Sequence, residues 1–323
     1  MRSRLGAVPG LKIIEAAPLC DYTRFGIGGP ARLLADVSSE PAVVEAMRII
    51  QRSGDPHTVI GGGTNLIVTD QGFAGVVLRY TGQAIEIQGA EIEGPEIEGA
   101  SVRVAAGAVL QELVDSAIAA GLGGLETMTG IPGWVGGAIY GNAGAYGHSI
   151  QELVQSVRFF DGVSVREIGN AACEFRYRDS VFKRHKDWII LSAVLRLDRA
   201  DPAELRATAE GILKIRNEKY PPSMRCAGSI FKNLILTDLP AAVQARIPER
   251  VVREGKVPSA YFLELAGAKG MVNGGVRVAT YHANLIYNHG GGTALEVRQL
   301  IGELKHRVRD QFGIELEEEV QYV

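Results

Sequence analysis

Apolar residues recur at intervals of three and four over residues 40–53, where Val43, Val44, Met47 and Ile50 line one face and Gly54-Asp55-Pro56 closes the run. That spacing predicts a helix. Residues 57–60 are a short strand running into Gly61-Gly62-Gly63-Thr64-Asn65, and residues 66–68 and 76–79 read as further strands. Together they predict a small α/β unit ending near residue 80. Beyond it the texture changes. Residues 85–98 alternate apolar and acidic side chains, with turn signals at Gly89 and Gly94-Pro95, and predict an exposed hairpin or meander. The repeated EIEG within this stretch is too short to mark a solenoid. Residues 101–106 predict a strand, and residues 109–120 a helix with Leu110, Leu113, Val114 and Ile118 on one face. Residues 121–124 are its stop. Strands at 153–160, 163–168 and 188–197 complete a larger α+β unit.

Residues 203–218 predict another helix, with Leu205, Ala209, Ile212 and Leu213 inward and Pro221-Pro222 beyond its end. A long amphipathic helix is expected over 293–312. The tail, 313–323, alternates as a strand: Ile314, Leu316, Val320 and Tyr322 share one face, with Glu315, Glu317 and Glu319 opposite. The expected domains are therefore 1–80, then 81–200 joined by the strand 313–323, then 201–312. No linker rich in Pro, Ser or Gly separates them, so packed units are expected rather than tethered ones.

Composition changes the picture in three places. A chain of 323 residues exceeds a single core, which stops growing near ~250–300 residues. With 34 Lys and Arg against 37 Asp and Glu, net charge is −3 and there is no basic stripe, which excludes nucleic acid as a partner. Three distant cysteines, Cys20, Cys173 and Cys226, form no CxxC and argue against a disulfide framework and a zinc ribbon. Pro9, Lys12 and Glu15 interrupt the apolar character of the N-terminus, so no signal peptide is read. Nor do eighteen apolar residues run together, so no membrane span is expected. A soluble, cytoplasmic monomer is the expectation.

Glycine is in excess, at 40 residues or about 12% against a usual ~7%. Two clusters stand out. Ile60-Gly61-Gly62-Gly63-Thr64-Asn65-Leu66 directly follows a strand and matches neither a dinucleotide fingerprint nor a P-loop. It is either a tight turn between strands or a cradle of backbone N–H groups for an anion, and three glycines exceed what a turn needs. Residues 129–147 read as a glycine-rich loop, with seven glycines among nineteen residues, interleaved with apolar residues and free of charge. A solvent loop would be polar, and a core strand would not hold so many glycines. A chain lying flat against a large, partly apolar, pyrophosphate-bearing ligand fits this pattern.

Other motifs are locally ambiguous. Tyr177-Arg178-Asp179-Ser180 offers a planar guanidinium for a carboxylate or phosphate, or a plain surface Arg–Asp pair. In Gly228-Ser229-Ile230-Phe231-Lys232-Asn233 no GxSxG elbow surrounds the serine, so Ser229 is equally a turn or a cap. Six histidines show no HExxH spacing, and no metal site is read. His282 is the one to watch, although such a residue is more often structural. Glu317, Glu318 and Glu319 read by default as a solvated acidic tail.

Taken in order, TRFGIGGPA (23–31), VIGGGTNL (59–66), GIPGWVGGAIYGNAGAYG (130–147), YRDSVFK (177–183), GSIFKN (228–233), YFLELAGAKG (261–270), YHANLIYN (281–288) and GIELEEEV (313–320) form a series. The chain thereby resembles the UDP-N-acetylmuramate dehydrogenase family, also called UDP-N-acetylenolpyruvoylglucosamine reductase, over roughly residues 20–323. The resemblance implies an α+β protein with the FAD-binding fold of the vanillyl-alcohol oxidase type, two α/β subdomains, plus a third α+β substrate domain. It also implies reduction of UDP-N-acetylglucosamine enolpyruvate, with FAD as cofactor and NADPH as reductant, for peptidoglycan synthesis. NADPH passes hydride to the flavin, which delivers it to the β-carbon of the enolpyruvyl group.

By the same resemblance Ile60, Gly61, Gly62, Gly63, Thr64, Asn65 and Leu66 would cradle the FAD pyrophosphate. Thr129, Gly130, Ile131, Pro132, Gly133, Gly136, Gly137 and Ala138, with Asn142, Gly144, Ala145 and Tyr146, would line the rest. Arg178 and Glu319 would hold and polarise the substrate carboxylate, Glu319 only if protonated or paired with a cation. Ser229 would give the proton to the α-carbon, activated through Lys232 or an ordered water. Tyr146, Lys219, Lys232, Asn233 and His282 would contact the UDP-sugar. Trp134, Gly141 and Glu318 depart from the family pattern, and residues 198–219 lack the tyrosine-bearing insertion of one branch. Two other readings stand beside this one: an FAD oxidoreductase of another small molecule, and a non-catalytic nucleotide-sugar binder with Trp134 blocking the flavin.

Overall fold

Glu40–Ser53 is helical because Ala42, Val43, Ala46, Met47 and Ile50 form one buried stripe, while Ser39 is extended before it and Gly54 stops it in the left-handed region at φ +69°. The computed structural model describes residues 1–89 and 99–323. Its residues group into two compact units, one of 1–17, 31–62 and 74–218, the other of 18–30, 63–73 and 219–323. The second unit draws in segments from early in the chain through specific bonds. Asp70 accepts from the Ala294 and Leu295 amides at 2.8 and 3.0 Å, and Asn288 Nδ2 donates to the Phe25 carbonyl at 3.3 Å.

In the first unit one sheet runs in the order Leu11–Pro18, Pro30–Val37, Phe73–Tyr80, His57–Val59, the last two strands parallel. A second, antiparallel sheet runs Val165–Gly169, Val154–Phe160, Ile189–Arg199, Gly99–Ala105, Ile85–Gln88. The expected strands at 153–160, 163–168 and 188–197 are all here. Ile85–Gln88, at the start of the expected hairpin or meander, is a strand, and its partner is Gly99–Ala105, beyond that stretch. The rest of that expectation, including the Gly94-Pro95 turn, lies on residues 90–98, outside the described residues. Leu110–Ala119 buries Leu110, Leu113, Val114, Ala117 and Ile118 in the core that contains Phe159, Phe160 and Leu191.

Two expectations in this unit need correction. Residues 129–147 are not loop throughout, since Val135–Tyr140 is helical with Val135, Ala138 and Ile139 buried. That turn seats directly on Ala106, where a side chain at Gly136 would stand 2.9 Å from Ala106 Cβ, so a glycine is needed for the approach. In the helix Pro202–Lys219, Leu205 and Ala209 are buried, but Leu213 is 38% exposed. Its tip instead lies over Gly130, 3.1 Å from the position of a built Cβ.

The second unit is organised on Ala294–Phe312. Its N-terminus carries a reciprocal capping box between Thr293 and Glu296, and Gly313 ends it at φ +68°. Val297, Leu300, Ile301, Leu304 and Val308 face a core with Phe231, Phe262, Leu263 and Ile286. Val272–Asn273, Val276–Val278 and Ile286–Asn288 form an antiparallel sheet. Of the expected tail strand 313–323, only Gln321–Tyr322 is strand, pairing in parallel with Leu66–Ile67 of the same unit. The alternation holds for Ile314, Leu316 and Val320, which are buried, but not for Tyr322, which is 38% exposed. Among the described residues no helix is long and apolar enough to cross a membrane.

Two glycines of the motif clusters separate backbone need from open space. Gly63 sits at φ +64°, and a side chain there would overlap the Tyr22 carbonyl. Gly137 has nothing within 4 Å of a built Cβ. Gly63→Ala should destabilise the apoprotein by at least about 2 kcal/mol, and Gly137→Ala should stabilise it by roughly 0.5–1 kcal/mol. Urea unfolding of the two apoproteins gives both values.

Candidate functional site

The first unit holds the start of the glycine cluster after His57–Val59. Ile60 is buried and its amide bonds the Leu78 carbonyl, which fixes where Gly61 and Gly62 emerge. Trp134 comes up against them: a Cβ built on Gly62 would be 3.2 Å from Trp134 Cδ1. On the indole lies Arg79, its guanidinium carbon 4.9 Å from the ring centroid, and Arg79 in turn faces Asp36 at 3.4 Å. Burial raises the Asp36 carboxyl above its ordinary range, with Arg79 and Lys12 opposing that shift.

Residues 129–147 supply polar groups from a backbone held by its own contacts. Thr129 is buried, and its hydroxyl has no hydrogen-bond partner. Gly130 donates to Gln111 Oε1 at 2.7 Å and Ile131 to the Met128 carbonyl at 3.0 Å. Gly133, at φ +121°, accepts from the Leu110 amide. Gly144-Ala145 pairs with His148-Ser149, which leaves Tyr146 and Gly147 as a two-residue hairpin loop with φ +55° and +86°. Both residues at positive φ are what a type I′ turn requires. Tyrosine is an uncommon occupant, and it is 48% exposed.

The YRDS segment docks on this same stretch. Arg178 donates to the Gly144 carbonyl at 2.9 Å and to the Asn142 carbonyl at 3.4 Å. Asn142, buried at φ +43°, donates to the Arg176 carbonyl and to Gln151. Ser180 Oγ donates to the Tyr140 carbonyl at 2.7 Å. The plain Arg178–Asp179 pair is not formed, since Asp179 pairs with Arg184. Two carbonyls thus hold the Arg178 guanidinium in one orientation, as recognition of a planar anion requires.

In the second unit the tail binds to both remaining motifs. The Glu319 amide donates to the Ile230 carbonyl at 2.7 Å and the Lys232 amide to the Glu317 carbonyl at 2.9 Å. Asn65 Nδ2 donates to the Glu319 carbonyl at 3.1 Å, and the Gln321 amide to the Asn65 carbonyl at 3.0 Å. Ser229, Glu319 and Asn65 are therefore gathered by main-chain bonds. Asn65 Oδ1 is buried without a partner. Gly63, Thr64 and Leu66 belong to this unit as well.

Ser229 caps no helix. Its hydroxyl lies 3.0 Å from the Tyr220 hydroxyl. Lys232, expected to activate it, pairs with Glu317 instead, because the tail runs alongside residues 230–232 and brings that carboxylate within reach. The Lys219 ammonium stands 5.1 Å from the Tyr220 ring centroid, and its carbonyl accepts from Tyr281 at 3.0 Å. His282 flanks Tyr220, ring centroids 6.4 Å apart, with Nδ1 buried and without a hydrogen-bond partner. Asn233 is exposed. Sequence reasoning missed Tyr220: it precedes Ser229 by nine residues across Pro221-Pro222, and no periodicity links the two.

Comparison with known proteins places the whole chain beside one family. A family model described as UDP-N-acetylenolpyruvoylglucosamine reductase, C-terminal domain, matches residues 220–323, and one described as FAD binding domain matches residues 31–164. The chain is 57% identical over 320 residues to the UDP-N-acetylenolpyruvoylglucosamine reductase of Solibacter usitatus (strain Ellin6076), covering 99% of each chain. It is 34% identical over 313 residues to the protein of that name from Bacillus subtilis (strain 168), covering 97% of this chain and 94% of that one. It is also similar to the crystal structure of UDP-N-acetylenolpyruvylglucosamine reductase from Thermus caldophilus, with TM-score 0.70 and 26% identity over 97% of this chain and 98% of that one.

His282 generates a pH prediction. Burial first, and the Lys219 charge second, lower its imidazole from 6.5 to about 4. The unfolded chain therefore takes up this proton at higher pH than the folded one. Stability from this residue is complete above pH 6.5 and is lost as pH falls from 6.5 to about 4. The loss is about 3 kcal/mol. His282→Gln should flatten that part of the stability–pH curve, measured by denaturant unfolding. An unchanged slope would assign it to other groups.

Proposed function

The chain belongs to the UDP-N-acetylenolpyruvoylglucosamine reductase family, and we propose that it carries out that reaction with the residues gathered above. It is an FAD-dependent oxidoreductase that reduces UDP-N-acetylglucosamine enolpyruvate to UDP-N-acetylmuramate in peptidoglycan precursor synthesis. NADPH is the reductant. The finer reading is a cytoplasmic enzyme acting as a monomer, since one chain carries every residue invoked below.

The residues present fit FAD. Thr129 Oγ1 and Asn65 Oδ1 are buried polar atoms with no partner, one in each glycine-bearing motif, and Gly137 leaves open space where any side chain would project. Residues 60–66 would hold the pyrophosphate with successive amides. Thr129, Gly130, Ile131, Pro132, Gly133, Gly136, Gly137, Ala138, Asn142, Gly144, Ala145 and Tyr146 would hold the remainder, with the Trp134 indole as one wall. When bound, FAD carries hydride from NADPH to the enolpyruvyl β-carbon.

The chain's own residues manage the charge and the proton. Hydride addition at the β-carbon leaves negative charge on the α-carbon and its carboxylate. Arg178, its orientation set by the Gly144 and Asn142 carbonyls, binds that carboxylate, and Glu319 polarises it. Ser229 transfers its hydroxyl proton to the α-carbon. Tyr146, Lys219, Lys232, Asn233 and His282 contact the UDP-sugar. The observation that carries this reading is the bond from the Glu319 amide to the Ile230 carbonyl, which runs the tail backbone alongside the residue after Ser229.

Purified protein should be yellow, bleach with NADPH and recover its flavin absorbance on adding the enolpyruvyl sugar. No recovery would remove the substrate. Ser229→Ala should slow that recovery roughly 10²–10⁴-fold and leave bleaching unchanged. Equal slowing of both would refute its role as proton donor. Thr129→Val should leave apoprotein stability unchanged or higher and weaken FAD binding by about 1–2 kcal/mol. Titration of apoprotein with FAD, followed by flavin fluorescence, measures that loss.

A further inference from the structure

We propose that Tyr220 is a positioning residue for the proton-transfer step: its hydroxyl donates to Ser229 Oγ and so directs the serine's own hydrogen toward the substrate. The inference rests on the role of Ser229 given above and extends it to a residue outside every motif. The two hydroxyls are 3.0 Å apart, and a hydrogen bond between them has two possible directions. If Ser229 donated, its proton would point at Tyr220 and away from any substrate. If Tyr220 donates, the Ser229 hydrogen is free to be aimed at the α-carbon.

The surroundings favour the second direction. As the Ser229 O–H bond breaks and the new C–H bond forms at the α-carbon, negative charge builds on Oγ. A phenol is a stronger hydrogen-bond donor than an alcohol, so the Tyr220–Oγ bond strengthens at that moment. The Lys219 ammonium, 5.1 Å from the Tyr220 ring centroid, adds a positive charge near the donor. Lys232 stands in an ion pair with Glu317, and the group within hydrogen-bond distance of Ser229 Oγ is the Tyr220 hydroxyl. Solvent then returns a proton to Ser229, so the enzyme is restored.

Tyr220 is also held rigidly enough to do this. Pro221 and Pro222 follow it, restricting its backbone. On the other side the Lys219 carbonyl is bonded to Tyr281, and the Tyr220 side chain packs on the cluster of Cys226, Ala279 and Leu285.

The test separates this proposal from the reading beneath it. The FAD-loaded proteins Tyr220→Phe, Ser229→Ala and the double variant would be reduced with NADPH, then mixed with the enolpyruvyl sugar while flavin absorbance is followed. Tyr220→Phe should reduce at the wild-type rate and reoxidise roughly 10- to 100-fold slower, with a larger solvent isotope effect and little change in half-saturating sugar. The double variant should be no slower than Ser229→Ala, because Tyr220 acts through that hydroxyl. If Ser229→Ala is slow but Tyr220→Phe reoxidises within about twofold of wild type, Tyr220 has no positioning role. The same holds if the two effects multiply in the double variant. If Ser229→Ala itself reoxidises normally, the serine's role fails, and with it this proposal.

Discussion

The second unit depends on how residues 317–321 are held. One edge of this short stretch bonds residues 230–232 through the Glu319 and Lys232 amides, and another bonds Asn65 through its side chain and carbonyl. Each is a main-chain bond or a bond to main chain, worth about 0.5–1.5 kcal/mol alone. Their effect on geometry exceeds that sum. Residues separated by more than 250 positions are brought to fixed offsets, so the side chains of Ser229, Glu319 and Asn65 have no register left to vary. Burial of Ile314, Leu316 and Val320 supplies the anchoring energy, and alternation then sets which side chains remain available.

The glycines divide according to that same logic of approach. Gly63 and Gly136 are demanded by protein backbone: the first by the Tyr22 carbonyl at positive φ, the second by Ala106. Gly137 is demanded by nothing among the described residues, since a side chain there would meet open space. The partnerless hydroxyl of Thr129 belongs with it, since a buried donor is costly unless something completes it. Glycines that the backbone requires and glycines with open space around them thus stand side by side in stretches that look uniform as sequence.

That uniformity explains what could be read beforehand. Helices such as Glu40–Ser53 and Ala294–Phe312 were legible because one buried stripe repeats over several turns and a capping residue marks an end. Val135–Tyr140 was not, because two of its six residues are glycine and it owes its helicity to the seat on Ala106. Pro30–Val37 and Leu11–Pro18 were missed because a proline stands at an end of each strand. Leu213 misled because helical periodicity does not report where the packing surface ends. Arg178, Ser229 and Glu319 were singled out through motif order alone, and no local pattern distinguishes them. Tyr220 has neither motif nor period, only a neighbour in space.

The electrostatics of the second unit limit how a proton can be delivered there. Lys232 is paired with Glu317, and Lys305 with Glu318, so two of the cations beside the tail are occupied by its acidic run. His282 is kept uncharged by burial and by Lys219, and is no source of a proton at neutral pH. Within hydrogen-bond distance of the Ser229 hydroxyl stands another hydroxyl, that of Tyr220. A neutral donor pair avoids placing a fixed charge where the substrate's own charge must develop, and it avoids the desolvation cost of a buried ammonium. The hydroxyl pair can therefore respond to the reaction's charge as it appears, which is the condition for stabilising the transition state more than the bound substrate.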